Sequence, residues 1–152
     1  MSRIPRKPAS SIWSARSGTS AVEFALIAPF LALLLVGMVD FSMWIWSEIQ
    51  VGAAARAGAA NAVVNGFNTT KIISAVTGAT NLSGVTATPA PSEFYGCPST
   101  SGISTVTRGI TCPMGGTAGT YVQISAQANY TPIGPWPWVP VSLSSSVTVR
   151  ID

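Results

Sequence analysis

From Phe24 to Val39 the chain carries sixteen consecutive uncharged, mostly apolar residues, and the apolar character resumes after Asp40 from Phe41 to Trp46. About 20 residues at 1.5 Å each cross the hydrocarbon core of a bilayer, so this run predicts a membrane-spanning helix over about residues 21–46. Glu23 and Asp40 stand seventeen positions apart. That is about 25 Å along a helix, which lets the two acids lie near opposite edges of a layer about 30 Å thick. Trp44 and Trp46 follow at the height where amphipathic rings prefer the outer interface. Pro29 removes one backbone donor near the opposite side.

The pattern then changes twice. Gly52 to Val63 (GAAARAGAANAV) is nearly all small residues, and its alanines continue the helix outward to about Val64, where Asn65 and Gly66 supply a stop. Side chains this small allow close backbone approach, either to another helix or to the chain's own exported domain. Asn68 to Val76 places Ile72, Ile73 and Val76 on one face of a short helix capped near Asn68 or Thr69. Beyond it, Val122, Ile124, Ala126, Ala128 and Tyr130 alternate with polar residues, as do Val141, Leu143, Val147, Val149 and Ile151. Period two predicts two strands, each with one buried face. Thr131 to Pro140 holds four prolines and two tryptophans and reads as an ordered loop between antiparallel strands. Gly84 to Thr88 and Ile103 to Ile110 are weaker strand candidates.

The fold class expected is therefore α+β. A long amino-terminal transmembrane helix carries a small extracytoplasmic domain made of a short helix and a three- or four-stranded antiparallel sheet. The divisions are a leader over 1–18, the long helix over 19–64 and the exported domain over 65–152.

Charge gives this layout a direction. Four of the eight basic residues (Arg3, Arg6, Lys7, Arg16) precede Gly18, and all five acids follow it. The positive-inside rule puts the amino terminus in the cytoplasm and the remainder in the periplasm or beyond, a single-pass protein of the inner membrane. Because the basic balance belongs to the leader, nucleic acid is not an expected partner. Charged residues make up 9% and hydrophobic residues 47%, proportions that fit a chain partly housed in lipid.

Little catalytic chemistry is available. The chain has no histidine, and beyond Arg56 its carboxylates are Glu93 and Asp152, so a general acid and base pair has almost nothing to be built from. Lys71 and Ser74 are spaced as a Ser-Lys dyad on the short helix, but an exposed lysine beside a serine is the far commoner arrangement. No catalytic residue, cofactor, metal or small-molecule substrate is expected. Cys97 and Cys112 lack the close ligand spacings of zinc sites. In an oxidising compartment they read as a disulfide, with two free buried thiols as the alternative. Trp136 and Trp138 form a candidate contact loop; packing beneath the domain's own sheet is the competing reading.

A basic leader ending in Gly18, Thr19 as a new amino terminus, Glu23 as the fifth residue after the cut and Phe24 beside it resemble a type IV prepilin cleavage site. The Gly-x-x-x-x-Glu-Phe form looks like the Tad (tight adherence, Flp) branch. VEFALIAPFLALLLVGMVDF followed by AAARAGAA resembles the TadE-like family of minor pilins or pseudopilins, as do closing strands around Tyr130 to Pro132. The resemblance implies cleavage by a membrane prepilin peptidase after Gly18. It also implies assembly through Glu23 and Phe24, and partnership with other pilins and the assembly platform. Major Flp pilins are little more than the helix, so the exported domain points to a minor component. Two other classes compete: an uncleaved signal anchor bearing a β-rich domain, and a soluble protein released by a signal peptidase near Ala53 to Ala55.

Overall fold

The computed structural model describes residues 16–134 and 139–152, with side chains from Ser20 onward. Helix α1 (Arg16–Asn65) is followed by α2 (Thr69–Gly78) and by strands β1 (Ser92–Ser99), β2 (Gly102–Thr105), β3 (Gly119–Asn129) and β4 (Ser142–Arg150). The strands form one antiparallel sheet in the order β2-β1-β3-β4. The fold is α+β, as the pattern predicts. Two compact units divide the chain, Met1–Val39 and Asp40–Asp152, so α1 belongs to both.

Helix α1 continues through Pro29, and it stops where Gly66 takes a φ of +72° that other residues adopt only at a cost. Two residues later Asn68 opens α2, its side chain accepting a hydrogen bond from the Lys71 backbone N–H at 3.1 Å. That cap satisfies a donor the first helical turn would leave orphaned. Ile72 and Val76, four apart on one face, are completely buried. Ile73 is half-buried.

The core of the second unit lies where α1, α2 and β3 meet. Val51, Ala54, Ala55, Ala59 and Ala62 of α1, Ile72 and Val76 of α2, and Val122, Ile124, Ala126 and Ala128 of β3 form its buried cluster. Full burial of each large aliphatic contributes about 1.5–3 kcal/mol, but here most helix residues are small. Gly58 shows why: a Cβ at that position would stand 2.6 Å from Val76 Cγ2 and 3.0 Å from Ile124 Cγ2. The small stripe of α1 is therefore occupied by the chain's own domain. Of the two roles open to it from sequence, the structure assigns it to intramolecular packing.

Strand β4 pairs with β3 in the register Val122↔Val149 to Ala128↔Leu143, so the alternating residues of both strands share the inner face. The weaker candidates fare differently. Gly84 to Thr88 supplies an isolated bridge, Thr86↔Gln127, instead of a strand, and Ile103 to Ile110 contracts to β2. Strand β1 is not legible in the hydrophobic pattern, because SEFYGCPS lacks alternation and contains Pro98. Its pairing with β3 ends at Gly96↔Gly119, so Pro98 lies past the point where that ladder needs an N–H. Gly96 is required by crowding: a Cβ there would collide with Ile103 and press on Tyr121.

Candidate functional site

Three groups of residues carry the chemistry open to this chain. The first is the start of α1. The helix begins at Arg16, so Gly18 and Thr19 have helical backbone. Glu23 and Phe24 are both exposed on α1. From Ser20 to Val39 all side chains are exposed except Ala28 and Gly37, which are half-buried, and large apolar ones dominate: Phe30 is 72% exposed and Leu26 68%. Among the described residues this is the one helix long and apolar enough to cross a membrane.

The second group is centred on Asp40, whose residue is 1% exposed. Its carboxylate is held by the turn that follows β3. Tyr130 donates its phenol O–H to Asp40 Oδ1 and also lies 2.9 Å from the Asp40 carbonyl oxygen. Ile133 and Gly134 donate their backbone N–H groups to Oδ2 at 3.1 and 3.2 Å. Burial, and then the hydrogen bond and charge of Asp40, push the Tyr130 phenol up to about 12. Tyr130 itself is anchored by its N–H, which donates to the Val141 carbonyl at 2.7 Å. A buried carboxylate is strongly disfavoured unless its oxygens are met by donors; here three are supplied from one turn. Sequence reasoning placed Asp40 at a membrane edge and missed this pairing across 90 positions. The available signal was the need of an acid flanked by apolar residues for donors, with a Tyr-Thr-Pro turn to supply them.

Trp44, expected at a lipid interface, instead packs partly against the core, stacked on Phe41 with ring centres 5.8 Å apart. Its Nε1 is buried without a hydrogen-bond partner. Trp46 is 62% exposed. Trp136 and Trp138 lie outside the described residues.

The third group is the disulfide. Cys97 and Cys112 are bonded with their Cα atoms 5.5 Å apart, tying β1 to the turn around the Thr111↔Thr117 bridge. Both sulfur-bearing residues are buried, so this is a staple and not a reactive thiol pair. Lys71 and Ser74 are exposed on α2. Among the described residues no three His, Cys, Asp or Glu side chains converge as metal ligands would.

Comparison with curated proteins and with solved structures returns no match. The family model described as TadE-like protein matches residues 18–60, the stretch that holds Gly18, Glu23, the exposed apolar run and most of the small-residue stripe, so it is the amino-terminal segment of this chain that is similar to that family.

Proposed function

We propose that this chain is a structural, non-enzymatic minor pilin or pseudopilin of a Tad-type pilus. It is made as a single-pass inner-membrane prepilin with its amino terminus in the cytoplasm. The observation that carries the reading is the TadE-like match over residues 18–60, on a helix whose residues 20–39 offer their apolar side chains to the surroundings. Twenty residues at 1.5 Å give about 30 Å, the thickness of a bilayer core. A prepilin peptidase cuts after Gly18, Thr19 becomes the new terminus, and Glu23 and Phe24 enter contacts with other pilins and the assembly platform. The exported domain, stapled by Cys97–Cys112, is the part presented outside, for assembly, adhesion or secretion.

An uncleaved membrane-anchored domain is the second reading, favoured by the unbroken helical backbone across Gly18 and Thr19. One experiment decides between them. Co-expression with a cognate prepilin peptidase, read by intact mass and amino-terminal sequencing, is expected to show loss of 18 residues and a Thr19 terminus, with Gly18→Leu blocking the cut. Full-length mass beside an active peptidase would establish the uncleaved anchor instead.

A further inference from the structure

The sheet β2-β1-β3-β4 ends in two unequal edges. Strand β2 has four residues and β4 nine. Tyr130 N–H donates to the Val141 carbonyl and Ile151 N–H to that of Thr120, so alternation along the register commits residues 143, 145, 147 and 149 to β3. The backbone N–H and C=O groups of Ser142, Ser144, Ser146 and Thr148 therefore point the other way, where the sheet has no further strand. Proteins blunt such edges with proline, lysine, bulges or brevity. Strand β4 uses none of these. Leu143 to Val149 holds no proline and no charge, and pairing with β3 runs unbroken from Tyr121↔Arg150 to Asn129↔Ser142.

A groove of about 260 Å³ lies along this edge, lined by Glu48, Ile49, Gly52 and Arg56 of α1 and by Ser144 and Ser145 of β4. Ser145 faces α1, its Oγ 3.9 Å from where a Gly52 Cβ would stand. The Ser144 side chain belongs to the opposite face, so the groove reaches the edge backbone itself. Glu48, Gly52 and Arg56 recur at four-residue intervals on one side of the helix. Glu48 and Arg56 are exposed, and the one ion pair among the described residues is Arg150–Asp152, so neither groove charge is matched within the domain.

We propose that this groove docks an extended segment of another protein, which adds to β4 as an antiparallel fifth strand and presents an acidic side chain to Arg56 and a basic one to Glu48. Main-chain hydrogen bonds to β4 supply the attachment, and the α1 side supplies the selectivity. Helix α1 and β4 rise in the same sense, since Asp40 meets Tyr130 at the Val141 end and Gly52 meets Ser145. An antiparallel addition therefore passes Arg56 first and Glu48 second. These two stand about 12 Å apart along the helix, and same-face residues four apart on a strand are about 13 Å apart. The order recognised is an acid, three residues and a base, with the middle side chain over Gly52 and beside Ile49, which is 59% exposed. A second copy inserted the same way in one membrane does not supply this strand. Antiparallel pairing of two β4 edges would turn its α1 over, and its β2 is level with residue 152 and beyond, past the end of β4.

The inference rests on the reading of the exported domain as the part presented outside, but its test uses neither a peptidase nor pili, so it can fail while processing at Gly18 stands. The probe is the peptide acetyl-TETVTKT-amide, dye-labelled and titrated into the full chain in detergent. In an added strand its threonines turn their N–H groups to β4, and its valine and charged residues do not. N-methylating the two threonines between the charges is expected to weaken binding about tenfold, as loss of two hydrogen bonds would, whereas N-methylating the valine leaves it unchanged. Glu48→Lys combined with Arg56→Glu should reverse the preference between this peptide and acetyl-TKTVTET-amide, with the unfolding transition unchanged. Absence of binding, equal binding of the two methylated forms, or indifference to charge order overturns the site. So does self-association of the full chain that Ser146→Pro abolishes, which would make a second copy the occupant. Ser146 gives no N–H to β3, so that substitution spares the ladder.

Discussion

The two halves of α1 use the same backbone for two different surroundings. From Ser20 to Val39 the side chains are large, apolar and exposed; from Asp40 to Ala62 one face is buried, and most of its core residues are alanine and glycine. Apolar character alone does not separate these regions. Size does, because lipid accepts bulky side chains at any angle, whereas a sheet laid against a helix leaves room for little beyond Cβ. The difference predicts that a change of side-chain volume matters to the fold beyond Asp40 and hardly matters before it.

The sharpest contrast is expected at Gly58. Extra methylenes in a packed core cost about 1–3 kcal/mol and occasionally more, and a Cβ at Gly58 already meets Val76 at 2.6 Å. Gly58→Leu should therefore lower the stability of the unit Asp40–Asp152 by about 3 kcal/mol, the top of that range, read by thermal unfolding of the full chain in detergent. Leu31→Ala, a change of comparable volume on the exposed segment, should leave that transition in place. Equal shifts for both variants would mean that the two halves of α1 are not distinct environments.

Next in size is the staple. A loop of 15 residues is worth about 3 kcal/mol in the chain-entropy model, so the paired change Cys97→Ala and Cys112→Ala should cost somewhat less than that, because a compact unfolded chain has less loop entropy to lose. Its effect should be confined to the sheet: membrane insertion of the full chain, measured by vesicle flotation, is expected to be unchanged. Loss of insertion would show that the two regions depend on each other.

These elements differ in how plainly the chain announces them. The Asn68 cap with Ile72 and Val76, the alternation of Val122, Ile124, Ala126 and Ala128, and the Cys97–Cys112 pair were all legible because their signals are local periodicity or residue type. Strand β1 was not, since its residues are fixed by what surrounds them: Gly96 by the side chains of Ile103 and Tyr121, Pro98 by the end of the β3 ladder. Asp40 belongs to the same class. A run of apolar residues around an acid says that it needs partners, but its donors, at Tyr130, Ile133 and Gly134, are 90 or more positions away. The small stripe was ambiguous for a related reason, because close packing reads the same whether the neighbour is another helix or the chain's own sheet.

A smaller effect is expected at the boundary between the halves. Hydrogen bonds to a charged group contribute about 1.5–3 kcal/mol, and a buried donor left alone costs about 1–3. Asp40→Ala should accordingly destabilise the domain by about 2 kcal/mol, because water can reach the partly buried Ile133 and Gly134 amides. Tyr130→Phe should cost about 1 kcal/mol. The phenol also gives a pH signature. Its folded value of about 12 lies above the ordinary 10.0, so the fold favours the protonated form. That stabilisation is complete below pH 10.0 and is lost as the pH rises toward 12. A wild-type unfolding curve that weakens across this window, against a flat Tyr130→Phe curve, identifies the clasp.

The least effect on the fold is expected at Glu23, where the comparison turns around. Glu23 is exposed on the segment that builds no domain core, so Glu23→Ala should leave the unfolding transition and the membrane insertion of the chain unchanged. After cleavage at Gly18, Glu23 would lie four residues from the Thr19 amine, on the same helical face and in the first turn, where a carboxylate favours the positive end of the helix dipole. Within one subunit that is a modest surface pair. In a bundle of helices withdrawn from lipid, an unpaired charge is strongly penalised, and a neighbour's amine is the partner that would neutralise it and set the axial register. The alanine variant should still be processed to Thr19 yet be lost from sheared pili and from crosslinked pilin complexes. Normal recovery in those fractions, with processing intact, would show that the carboxylate has a purpose other than assembly.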